Sequence, residues 1–173
     1  MLYRLSSGKA PIFDMLTDDD KKIIVNSWRL VVPIAPTAAD LFYRRLFELK
    51  PEYRSLFPGD MDKQKQKLIR MLQFIVKSMD WMSDQWRDEV APEDDLCLVV
   101  LAMGRRHDQL YKIPEDSYEP VGESLFWTLD QGLGDAFTDE VESSWRRLYG
   151  VVSTTMKMGA RAGKVSMELR RHG

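Results

Sequence analysis

The chain has 173 residues, the length of one domain with one core. Its 44% hydrophobic and 30% charged residues, with ten Met, seven Phe, six Tyr and five Trp, carry enough apolar material to fold and exclude a disordered tail. Twenty-five basic against 27 acidic residues leave a formal charge of −2 with both signs scattered, which argues against nucleic acid as a partner. Cys97 is the single cysteine, so no intrachain disulfide forms. The first nine residues lack the apolar core of a signal peptide, and a reducing, cytoplasmic setting is expected. The longest unbroken apolar run, Leu96 to Met103, falls far short of the ~20 residues that span a bilayer, so no membrane segment is expected.

Thr17 followed by Asp18, Asp19 and Asp20 has the form of a helix N-cap with acids in the first turn, and Ile24, Trp28, Val31 and Val32 then recur at helical spacing up to Pro33. Beyond Pro33 and Pro36, Ala38, Phe42, Leu46 and Leu49 form one stripe of a second helix from Thr37 to Leu49, and Pro51 opens a short turn that ends at Phe57. From Met61 to Met79, Gln64, Leu68, Met71, Leu72, Ile75 and Met79 share a helical face, while Lys63, Lys65, Lys67 and Arg70 lie off it. Ser78 to Asp95 then carries seven acids against Arg87 alone and reads as an acidic connection. Pro92 and the acids after it open a helix in which Leu96, Val99, Val100, Met103 and His107 fall on one face. Two more helices are predicted: Ser117 to Leu133, stopped at Gly134, and Thr138 to about Ala160 with Val141, Trp145, Leu148, Val152 and Met156 inward. No alternating Val/Ile/Thr run competes, so the class is all-α with six to eight helices. Residues 1–16 read as an N-terminal extension and 161–173 as a basic tail around a domain at 17–160.

The usual catalytic signatures are missing: no phosphate-cradling glycine loop, no His-Glu-x-x-His, no Cys-x-x-Cys and no Gly-x-Ser-x-Gly. With only His107 and His172, side chains alone cannot build a multi-histidine metal site. A single imidazole at the end of an apolar face is what an iron porphyrin requires, because the macrocycle supplies four nitrogens and the protein one axial ligand. It is equally the commonplace half-buried histidine whose nitrogens bond backbone carbonyls, and composition alone leaves both open. Gln64 and Leu68 stand one turn apart on the same face, so one offers a hydrogen bond where the other excludes water.

The neighbours of these residues carry a specific resemblance. Met103-Gly104-Arg105-Arg106-His107, then Tyr111, Tyr118-Glu119-Pro120-Val121-Gly122 and Phe126-Trp127-Thr128-Leu129, with Asp139-Glu140-Val141, Trp145 and Tyr149-Gly150, resemble the globin family, in particular bacterial single-domain globins and flavohemoglobin heme domains, over Thr17 to Gly159. The resemblance implies a globin fold around heme b, with His107 as the proximal iron ligand. It implies that Phe57 packs on the heme, that Tyr43 of Leu41-Phe42-Tyr43 and Gln64 with Leu68 stand on the distal side, and that Met103, Tyr111, Tyr118 and Val121 border the cofactor. Lys67 is placed to reach a propionate, or is an ordinary solvated lysine. Dioxygen on ferrous iron carries partial negative charge on its outer atom and carbon monoxide less, so a phenol and an amide donor favour oxygen.

Two departures qualify what the resemblance implies. Flavohemoglobins back the proximal histidine with a tyrosine and a glutamate; Tyr118 matches the tyrosine, displaced by an extra residue near Leu110, but the glutamate's place falls near Ala160. The chain also stops where flavin and nicotinamide domains would begin, so turnover is expected to need an external reductase. The reading is therefore reversible binding of dioxygen, with nitric oxide and carbon monoxide as further ligands. The alternatives are a nitric oxide dioxygenase using that reductase, a gas or redox sensor acting through the acidic connection or the basic tail, and a heme-free interaction module. A monomer or homodimer is expected.

Overall fold

The computed structural model describes residues 15–80, 92–110 and 112–172. Among them the chain forms six α-helices and no strand: α1 Asp18–Val31, α2 Ala35–Leu49, α3 Met61–Asp80, α4 Pro92–Gln109, α5 Tyr118–Leu133 and α6 Asp139–His172. No helix of the described residues is long and apolar enough to cross a membrane.

The expected first cap is present. Thr17 Oγ1 accepts from the Asp20 amide at 3.0 Å, and the Asp20 carboxylate accepts from the Thr17 amide at 3.1 Å, so two orphan donors are satisfied reciprocally. Asp20 does more than cap. It is 3% exposed, accepts from Ser144 Oγ of α6 at 2.9 Å and pairs with Arg147. Beside it, Trp145 Nε1 donates to Ser27 Oγ at 2.9 Å, and Trp28 Nε1 donates to Gln73 Oε1 of α3 at 2.9 Å. Thus α1 is tied to both α6 and α3 by buried polar bonds around the Trp28–Trp145 ring pair.

The second helix starts at Ala35, two residues earlier than its apolar stripe predicts, because Pro36 falls in the first turn where its missing N–H is no loss. Ile24, Leu46, Met79, Val100 and Trp145 lie at the centre of the core. Gly134, with φ +53°, takes a positive-φ conformation open to glycine and ends α5.

The last helix departs most from expectation: it runs on past Ala160 to His172. Glycines make this possible. A Cβ on Gly104 of α4 would lie 1.8 Å from the Met156 carbonyl oxygen, and one on Gly159 of α6 would lie 2.0 Å from that of Leu101. The two backbones therefore touch, and α4 and α6 form the most extensive helix pairing of the fold.

Candidate functional site

The residues expected at the site fall into two groups. The first belongs to α2, α3 and the 3₁₀ turn Pro51–Leu56 between them. Tyr43, only 5% exposed, stands edge-on to Phe42 at 5.1 Å and to Phe57 at 5.4 Å between centroids. Phe47 joins the same cluster at 5.8 Å from Phe57. Edge-to-face packing of this kind fixes the phenol ring in place. Burial pushes the phenol pKa up, and the nearby Gln64 side chain pulls against the rise.

Gln64 is held in the first turn of α3, where its amide donates to the Asp60 carbonyl at 3.1 Å and the Asp60 carboxylate accepts from the Asp62 amide at 2.9 Å. One turn on, Leu68 packs against the core and lines a cavity of about 20 Å³ with Phe42, Ala38 and Leu125. The structure thus brings Tyr43, Phe57 and Gln64 into one cluster, with Leu68 on the next turn.

Lys67 is exposed. It is Lys65, passed over in the sequence, that reaches across, bonding Asp40 of α2 at 2.7 Å and Asp62 at 3.3 Å. A cavity of about 410 Å³ opens beside it, with Tyr43, Phe47 and Met61 among its walls and Arg54 at its edge.

The second group belongs to α4 and the start of α5. Along α4, Val100 is fully buried, Met103 packs against the core one turn later, and His107 follows after another turn, half-buried. Burial pushes the His107 pKa below the usual imidazole range, and the neighbouring Arg106 pushes the same way. The helix closes just beyond, where the Ile113 amide donates to the His107 carbonyl at 3.1 Å and Lys112 takes φ +53°. Tyr111 lies outside the described residues, as does most of the acidic connection.

Tyr118 and Val121, at the start of α5, pack on the core and stay partly exposed. The Tyr118 carbonyl accepts from Tyr149 Oη at 2.5 Å, and the Tyr149 ring leaves no room for a Cβ on Gly122, which would come within 2.6 Å. Burial, reinforced by Glu115 and Asp108, raises the Tyr118 pKa. Ala160, where a carboxylate was looked for, is half-buried; the group that meets the Tyr118 ring is the Lys157 ammonium, 5.2 Å above it. From sequence alone neither Lys157 nor Tyr149 has a role at the site; both are half-buried on α6.

A sequence profile for globins matches residues 40–156, spanning most of both groups. The chain belongs to the globin family. Among known proteins, this globin is 30% identical over 153 residues to a neuroglobin of Chaenocephalus aceratus, covering 84% of this chain and 93% of that one. It is 28% identical to a neuroglobin of Danio rerio over 153 residues. A flavohemoprotein of Rhizobium meliloti is 29% identical over 139 residues, 79% of this globin but 32% of that protein. In fold it is similar to a hexacoordinated heme protein from an anhydrobiotic tardigrade, with a TM-score of 0.71, 21% identity, and 84% of this chain against 96% of that one covered.

Membership of the family implies heme, and the residues of this globin fit one. Among the described residues no three His, Cys, Asp or Glu side chains come together to hold a metal, so iron requires a group that brings its own ligands. The helices α3 and α4 meet only lightly. The apolar side chains around them, Phe57, Leu68, Leu72, Met103 and Val121, pack on the core yet remain partly exposed. Apolar walls half in water, with one imidazole on α4 and a phenol–amide pair on α2 and α3, suit a flat hydrophobic cofactor.

Proposed function

We propose that this globin binds dioxygen reversibly on heme b, with His107 as the axial ligand from the protein and Tyr43 and Gln64 as hydrogen-bond donors to the bound gas. The heme, when bound, supplies four nitrogen ligands and the ferrous iron that takes a diatomic molecule. The remaining properties come from this chain's own side chains. The observation that carries the reading is the buried Tyr43 phenol, 5% exposed within a cluster of Phe42, Phe47 and Phe57 and with Gln64 nearby.

A phenol whose pKa is raised stays protonated and keeps a donor at neutral pH. The phenol is sheltered by Phe42, Phe47 and Phe57. The Tyr43 hydroxyl carries one hydrogen and the Gln64 amide two, so each side chain can donate to a ligand. Such a bond is worth about 1 kcal/mol net, or roughly fivefold in release rate.

The test is to reconstitute the protein with hemin and measure oxygen release by stopped flow. Tyr43→Phe should release oxygen about fivefold faster, with a smaller effect on carbon monoxide; equal oxygen rates would remove the donor role. His107→Ala should lose stoichiometric heme binding, and retention of a five-coordinate ferrous spectrum would sink the axial assignment. Similarity to a flavohemoprotein supports a second reading, nitric oxide consumption with an external reductase. Failure of reductant and reductase to sustain that consumption would leave oxygen binding alone.

A further inference from the structure

The basic character of the last helix has a place in the fold. Past Met156, Lys157, Arg161 and Lys164 recur at i, i+4 and i+7, one stripe of α6. Each meets a group on the stretch that leads from His107 into α5. The Lys157 ammonium lies 5.2 Å over the Tyr118 ring, Arg161 bonds Glu115 at 2.8 Å, and Lys164 bonds Asp108 at 3.0 Å. The partners descend from 118 through 115 to 108 as the basic residues ascend, so helix and stretch run antiparallel and close on one another in register.

Backbone contact lies beneath the charges. Gly104 and Gly159 bring the two helices together at Met156 and Leu101, and a Cβ on Gly163 would come within 2.8 Å of the Gln109 side chain. The turn bearing His107 is thus gripped on both flanks.

We propose that Lys157, Arg161 and Lys164 are positioning residues that clamp the stretch 108–118 and so hold the His107-bearing end of α4 in place. The inference rests on the reading of His107 as axial ligand. The end of a helix, with its last carbonyls unpaired, frays unless something ties it down. Here the tie is made from outside α4. Exposed ion pairs are individually weak, and the Arg161–Glu115 pair is 69% and 55% exposed. Asp108 differs, because its side chain is only 19% exposed, and a carboxylate with reduced access to water loses more when its partner goes. Three linked contacts on a base of touching backbones restrain the segment where any one would not. The same geometry argues against these three cations forming a docking patch for an acidic partner, because they face the molecule's own acids.

The experiment uses the full-length chain and reads amide hydrogen exchange helix by helix. Arg161→Glu with Lys164→Glu should speed exchange at residues 105–110 by about tenfold while leaving α1 and α2 unchanged. After hemin reconstitution, the same variant should lose heme to excess apomyoglobin about fivefold faster, and its ferrous iron–histidine stretching band should shift or broaden. Adding the complementary changes Glu115→Arg and Asp108→Lys to that variant, a charge swap at both pairs, should recover most of the effect. If the double reversal fails to fold, raising salt from 0.1 to 1 M on the unaltered protein provides the same comparison, and exchange at 105–110 should quicken. Unchanged exchange at 105–110, equal acceleration in every helix, or a swap that recovers nothing would each overturn the clamp. Should His107 not bind iron, the iron–histidine band is missing in the unaltered protein, whereas the exchange pattern still decides the clamp.

Discussion

Gly104 offers the sharpest test of how the fold places His107. It sits on α4 three residues before the histidine, and a Cβ there would lie 1.8 Å from the Met156 carbonyl oxygen, where real Cβ contacts essentially never fall under 3.0 Å. Alanine at this position must therefore drive the α4 and α6 backbones apart by about 1.2 Å or more, and the obstacle is a helical carbonyl that cannot rotate aside. Overpacking of this kind costs about 1–3 kcal/mol, and a rigid obstacle puts Gly104→Ala near the upper end. Gly150, also on α6, is the control: nothing lies within 4 Å of a Cβ there and the residue is exposed. Gly150→Ala should stabilise by roughly 0.5–1 kcal/mol through reduced backbone freedom in the unfolded chain. The same added methyl thus has opposite signs at two positions. Urea unfolding followed by circular dichroism, with and without hemin, measures both, and Gly104→Ala should in addition shed heme faster. A Gly104→Ala protein that unfolds at the unaltered protein's urea midpoint would refute backbone contact as the determinant of α4's position.

Two further predictions concern the buried ties of α1. Burial alone would raise the Asp20 pKa, but hydrogen bonds from Thr17, then from Ser144 and Arg147, outweigh it and hold the carboxyl below its usual range. A carboxyl depressed on folding contributes stability that is full above the unfolded pKa and is lost as pH falls through the folded one. An acid titration of unfolding should therefore show a loss beginning near pH 4 that Asp20→Asn abolishes, at the cost of lower stability at pH 7. Ser27→Ala removes the acceptor of the fully buried Trp145 Nε1 and should cost about 1–3 kcal/mol in denaturant melts, with Ser27→Thr recovering most of it.

What the sequence made legible, and what it hid, follow from which residues advertise themselves by side chain. The start of the first helix was readable to the residue because a Thr with an Asp three positions on caps it locally, whereas its end fell at Val31, short of Pro33. The limits of α3, α4 and α5 followed from apolar periodicity punctuated by Pro92 and Gly134. The length of α6 did not, because beyond Met156 the contacts that hold it run through Gly159 and Gly163, which contribute close approach and no apolar side chain to count. At the site, periodicity put Gln64 on an apolar face, but only the folded chain shows that Tyr43 of another helix meets it. The two lysines exchange importance for a similar reason. Lys65 points at Asp40 across the α2–α3 seam and Lys67 does not, a distinction that charge alone cannot make.

The two sides of the proposed site are built by different physics, and they should therefore respond independently. Tyr43 is placed by ring packing beside the Lys65–Asp40 tie between α2 and α3, whereas His107 sits on a helix held by backbone contact and charge against α6. On the proposed reading, a change at Tyr43 should alter the donor offered to the gas and leave the α4–α6 pairing alone, and a change at Arg161 should loosen the helix and leave Tyr43 and Gln64 alone. In a double-mutant cycle of Tyr43→Phe and Arg161→Glu, the effects on oxygen release and on heme loss should each add within about 0.5 kcal/mol. Coupling well above that would mean that α4 and the distal pair move as one body. The separation of gas retention from heme retention, which follows from the two helix pairings, would then be wrong.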